Sequence, residues 1–266
     1  MTDKTKPTKF EQTHIAMVLD RSGSMDTCRA ATIASVNKYL AEARDDANLK
    51  EADFELSIFD SQSIDVLRTG APIRLSDITT EDYVPRGGTP LYDAIGRGID
   101  GLDTKLTASG SGKAILVIVT DGEENASRKY NHAAITELIK GRQAAGWLVV
   151  FLGAGLDSAK QGLALGVAAA YTANFATDSA SLSNVGSVVR GMSSSYASNA
   201  TSAEAKQWMA SGRGALSMSA RKSMGDKSGG DGLINKLKTP PPAVHKAPPP
   251  KVKTDAYEDS SDAWGS

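Results

Sequence analysis

Three short runs of almost unbroken apolar residues, HIAMVL (14–19), KAILVIV (113–119) and WLVVFLG (147–153), set the first limit on how this chain can fold. A strand with one wet face alternates apolar and polar residues. A strand apolar throughout is buried on both faces, as in a parallel sheet covered by helices. Between these runs the spacing turns helical. Residues 26–43 place Ile33, Val36, Tyr39 and Leu40 at helical intervals. The Gly-rich stretch PRGGTPLYDAIGRGIDGL opens a second helix with Leu91, Ile95 and Ile99 on one face, and 131–145 reads as a third. DFELSIFDS (53–61) alternates with period two, and SIDVLRTG (63–70) follows after a very tight turn, which predicts an antiparallel hairpin. A short helix near 157–164, a weak strand near 168–173 and a last helix carrying Leu182, Val185, Val188, Val189 and Met192 complete the series. The pattern predicts an α/β, doubly wound (Rossmann-like), mostly parallel sheet with one antiparallel edge strand and helices on both faces. Ligands of such sheets bind beyond the carboxyl ends of the strands. That places DRSGSM (20–25) and TDGEEN (120–125) on one rim.

The 266 residues are enough for one medium domain with appendages. One folded core is expected over 13–203, after a flexible N-terminus (1–12). A flexible Pro- and Lys-rich linker (204–253) and an acidic, aromatic, disordered tail (254–266) follow. A formal charge of −1 gives no global basic field, so no nucleic-acid partner is predicted. One cysteine, Cys28, excludes an internal disulfide framework and fits a reducing compartment. Neither a signal peptide nor an apolar run of membrane-spanning length is evident, so a cytoplasmic protein without a membrane partner is expected.

The rim carries the chemistry. Asp20, Ser22 and Ser24 alternate in a turn containing Gly23, Thr89 lies in the GGTP loop, and Asp121 ends the most apolar strand. All are hard oxygen donors of the kind Mg²⁺ prefers. Each also has an ordinary reading. Ser24 or Asp26 can cap the next helix, Thr89 can cap the helix beginning at Pro90, and Asp121–Gly122 can be a plain turn. Glu123, Glu124 and Asp93 read as solvated rim residues.

In order and spacing, DRSGSM, the threonine of RGGTPLYDA and the aspartate of VTDGEEN resemble the three parts of the metal-ion-dependent adhesion site of von Willebrand factor type A (vWA) domains. The resemblance covers about residues 13–200 and extends to short intracellular bacterial and phage vWA proteins. It implies a divalent ion, Mg²⁺ or Mn²⁺, held by Asp20, Ser22, Ser24, Thr89 and Asp121. Ser22 and Ser24 are direct ligands in that pattern, Thr89 is direct or acts through water, and Asp20 and Asp121 often act through water. The open position receives a carboxylate from a protein partner. Arg21 occupies a variable place in the motif, and its charge near a cation is unfavourable unless it points away.

The resemblance implies a binding module rather than an enzyme, in an intracellular bacterial or phage assembly. The alternative is a metal-dependent hydrolase acting on phosphate esters. Dehalogenase-like phosphatases share the aspartate that ends the first strand, but they need a second aspartate where Ser22 stands. A nucleophilic serine needs a base within reach, and the three histidines, His14, His132 and His245, offer only His132 near the rim. GGTP lacks the lysine of a P-loop. A further expectation concerns self-association: Asp255, Glu258, Asp259 or Asp262 of the tail can present a carboxylate to the ion.

Overall fold

The computed structural model describes residues 10–154 and 158–226. The expected linker from residue 227 onward, the acidic tail, most of the N-terminal segment and His245 lie outside the described residues. Among the described residues six strands form one sheet: β1 (Thr13–Asp20), β2 (Asp53–Phe59), β3 (Ile64–Gly70), β4 (Lys113–Thr120), β5 (Leu148–Ala154) and β6 (Thr172–Phe175). Their order is β3-β2-β1-β4-β5-β6. All neighbours are parallel except β2 and β3, whose hairpin makes β3 the antiparallel edge. β1 and β4 lie side by side at the centre, and every residue of both is buried.

Among the described residues seven helices accompany the sheet: α1 (Arg29–Asp45), α2 (Leu91–Ser109), α3 (His132–Ala145), α4 (Ser158–Ala164), α5 (Ser179–Ala197), α6 (Ser202–Ala210) and α7 (Met218–Ser223). Alternation along β1 sorts them between the two faces. Met17 and Leu19, with Val119, meet Val36 and Tyr39 of α1 and Leu182, Val185 and Val189 of α5. Val18 and Leu116 point the other way, onto Gly98 of α2. α1 and α5 cross with their backbones nearly touching, since a Cβ on Gly186 would lie 2.1 Å from the Ser35 carbonyl oxygen. No described helix is long and apolar enough to cross a membrane.

Three boundaries differ from the sequence reading. α1 starts at Arg29, because Gly23–Cys28 forms a tighter 3-10 stretch tied to a neighbouring loop by Gly23 N–H donating to Gly87 O (3.0 Å). β6 begins at Thr172, after a 3-10 turn at Ala169–Tyr171. Beyond residue 203, where the sequence suggests a flexible linker, the packed body continues through α6 and α7 to Asp226. Ala205, Leu216 and Met224 are buried there. Arg221, 2 % exposed, donates to the carbonyls of Thr172 (2.8 Å) and Ala169 (2.9 Å) and pairs with Asp226 at 3.1 Å. Ala176 N–H donates to Met224 O, and Leu216 N–H to Ala170 O, both at 2.8 Å. This segment therefore supplies hydrogen-bond partners to backbone at and beside the short edge strand β6.

A chain ending at Asp226 should melt like the full-length protein, whereas one ending at Ala203 should be markedly less stable. Arg221→Ala should cost about 3–5 kcal/mol, the usual result of leaving one member of a buried ion pair alone. Urea denaturation of the three variants checks this, and equal midpoints for the two truncations would contradict it.

Candidate metal site

The carboxyl ends of β1 and β4 adjoin, and the residues leaving them carry the oxygen donors. Asp20 is fully buried. One carboxylate oxygen accepts the Ser22 amide (2.7 Å) and the other accepts the Thr120 hydroxyl (2.6 Å). Its own carbonyl accepts the hydroxyl of Tyr83, also fully buried. Ser22 Oγ and Ser24 Oγ lie 3.1 Å apart, and Ser24 Oγ donates to Asp121 at 2.7 Å. Thr89 joins them from the second loop. A Cβ placed on Gly122 would be 2.9 Å from Thr89 Oγ1 and 3.6 Å from Asp20 Oδ2, so glycine leaves this space open. All five residues singled out in the sequence thus converge on one place.

The capping readings fare poorly. Neither Ser24 nor Asp26 caps α1, whose N-cap is Cys28 without a side-chain bond, and Ser22, at the N-cap of the 3-10 stretch, makes no side-chain capping bond. At the head of α2 the N-cap is Pro90, again without a side-chain cap. The α2 amides are served instead from the loop after β4. Glu124 accepts from Tyr92 N–H (2.9 Å) and Ser127 Oγ from Asp93 N–H (3.1 Å), while Asn125 Oδ1 accepts from Thr89 N–H (2.8 Å). The Thr89 hydroxyl is therefore not consumed by capping. Glu124 and Asp93, which read as solvated in the sequence, hold this loop together: Asp93 accepts the amides of Arg128, Lys129 and Tyr130. Glu123 is exposed.

Burial pushes the Asp20 carboxyl up to about 6, against the hydrogen bonds from Thr120 and Ser22, and the charge of Asp121 adds to the rise. Asp121 is also raised, chiefly by burial. None of the groups acting most strongly on either carboxylate is basic. Arg21 turns away from the site, its Nε donating to Asp60 at 2.7 Å. His14 is at the opposite end of β1, bonded to Asp53 (2.9 Å), and His132 packs edge-on against Tyr92. Cys28 is buried near the two aspartates, and burial raises its thiol, which disfavours a reactive thiolate. Among the described residues no group of three or more His, Cys, Asp or Glu is arranged to hold a metal. The set assembled here is two carboxylates and three hydroxyls, which suits a hard cation that keeps some water and does not suit a soft one.

No family model matches the chain, and no curated protein matches it. Solved structures do. The pilus adhesin SpaC from Lactobacillus rhamnosus GG, in its open conformation, matches with a TM-score of 0.56 at 15% identity, over 74% of this chain and 31% of its own. A von Willebrand factor type A protein from Catenulispora acidiphila gives 0.49 at 16% identity, over 70% of this chain and 43% of its own. The manganese-loaded TRAP protein of Plasmodium vivax gives 0.45 at 16% identity, over 63% of this chain and 69% of its own. The chain thus spans less than half the length of the first two. At such identities the likeness concerns the fold alone, and that fold is the vWA fold.

The raised carboxyl has a measurable consequence in chelator. The folded protein holds the Asp20 proton more tightly than the unfolded chain, whose value is near 3.8. Asp20 therefore costs nothing below about pH 4, and stability falls as pH rises towards 6. The loss approaches about 3 kcal/mol at neutral pH, at about 1.4 kcal/mol per tenfold change in proton affinity. Asp20→Asn should gain on the wild type by that amount between pH 4 and pH 7 in urea unfolding. A difference that stays constant with pH would contradict the assignment.

Proposed function

We propose that this chain is a divalent-metal-dependent protein-binding module, with Mg²⁺ or Mn²⁺ held by Ser22, Ser24 and Thr89 and by Asp20 and Asp121, directly or through water. One observation carries the reading. Three hydroxyls at or near helix starts make no capping bonds and converge instead with the fully buried Asp20 and the half-buried Asp121, whose carboxylates no basic side chain compensates. A burial that is unfavourable for bare carboxylates becomes favourable beside a cation. When bound, the ion offers a Lewis-acidic position to a ligand oxygen. The protein's part is to fix the donors and leave one side open, since Gly23 and Ser24 are exposed at the rim. The partner is a protein that presents an Asp or Glu carboxylate, in an intracellular bacterial or phage assembly. The buried thiol of Cys28 and the remote His14 supply no activated nucleophile or base at this place, which favours binding over phosphate-ester hydrolysis.

Isothermal titration with Mg²⁺ and with Mn²⁺ should show one site. Ser22→Ala combined with Ser24→Ala should weaken it by more than about 100-fold, beyond what the loss of an outer hydrogen-bonding partner causes. The same variant should unfold at the wild-type urea midpoint in chelator. An unchanged affinity in the folded double variant would remove the basis of the assignment.

A further inference from the structure

The turn between β2 and β3 carries no metal donor, yet it grips two of the three loops that do. Asp60 opens this turn with a fully buried side chain. One of its oxygens accepts the amides of Gln62 (2.7 Å) and Ser63 (3.2 Å). The other takes Arg21 from the first loop, with Nε at 2.7 Å and Nη2 at 2.6 Å, and Arg86 Nε from the second loop at 3.0 Å. Ser63 Oγ repeats the bridge, accepting Arg21 Nη2 (2.9 Å) and Arg86 Nη2 (3.1 Å). Ser61 Oγ accepts the amide of Gly88, the residue before Thr89 (2.9 Å). The two loops also meet through their backbones: Arg86 N–H donates to Arg21 O (2.8 Å) and Gly23 N–H to Gly87 O (3.0 Å).

We propose that Asp60 is the positioning residue of the metal site: through Arg21 and Arg86 it fixes the distance between the loop bearing Ser22 and Ser24 and the loop bearing Thr89. This rests on the metal reading for its purpose, while the clamp itself is testable without metal. Direct ligands on separate loops bind one ion only if those loops keep a common spacing, and a guanidinium held by a carboxylate in two contacts allows little freedom. Arg21 is the side chain within the motif whose charge would oppose a cation. The clamp turns that charge outward and uses it. Because Ser61 and Gln62 are exposed, a protein bound at this turn would act on metal affinity from outside the site.

The test compares Asp60→Asn with Asp53→Asn, which breaks an ion pair with Lys105 and weakens the contact with His14 at the other end of β2. In chelator, amide hydrogen exchange should accelerate at Gly23 and Arg86 together in Asp60→Asn. It should stay at the wild-type rate at both amides in Asp53→Asn. Mg²⁺ affinity should fall about 10–100-fold in the first variant and remain unchanged in the second. If Asp60→Asn does not fold, Arg86→Lys serves instead. It keeps the charge but loses the forked contact, and it should loosen the same amides and weaken Mg²⁺ binding severalfold. Unchanged exchange at Gly23 and Arg86, or equal acceleration in Asp53→Asn, would overturn the clamp. Wild-type protein that binds no Mg²⁺ would overturn the metal reading, while the exchange result would still decide the clamp.

Discussion

A carboxylate buried at the end of the central strand is the constraint around which this molecule is arranged. β1 is flanked by β2 and β4 in parallel, so its last residue cannot escape the sheet edge into solvent. Asp20 retains two donors, the Ser22 amide and the Thr120 hydroxyl, and these do not offset the loss of water, as its raised carboxyl shows. Proteins seldom leave a buried charge uncompensated without a reason. Here the missing element is positive charge, and the nearest basic residue in sequence, Arg21, is committed to Asp60.

The surroundings keep the donors available. In an ordinary helix-capping arrangement, Ser22 and Thr89 would spend their hydroxyls on backbone amides. The loop after β4 relieves Thr89 of that task by sending Glu124, Asn125 and Ser127 to the head of α2. Gly122 leaves the gap between Thr89 and Asp20 unfilled. The division of labour is consistent: residues that hold the backbone are distinct from residues whose oxygens face the gap.

Much of this was legible in the sequence, for physical reasons that differ by element. β1, β4 and β5 announce themselves because a strand buried on both faces must be apolar throughout. The β2–β3 hairpin is marked by alternation and a tight turn. The five oxygen-bearing residues that converge beyond β1 and β4 were legible as a pattern spread over three segments. The support beneath them was not. Asp60 lies 39 residues from Arg21, and nothing in DRSGSM states where the arginine will turn. Glu124 and Asp93 looked like solvated charges because loop amides leave no trace in side-chain patterns. α6 and α7 were missed for a related reason. Their attachment relies on an Arg221–Asp226 pair and a few apolar contacts, which in composition resemble solvated chain.

The most direct measurement of the central claim is anomalous scattering from crystals of the protein grown with Mn²⁺. The account predicts one strong peak in the space bounded by Ser22 Oγ, Ser24 Oγ and Thr89 Oγ1, with Asp20 and Asp121 behind it. A map without a peak there, or with manganese only on exposed carboxylates such as Asp26 and Glu123, would contradict it.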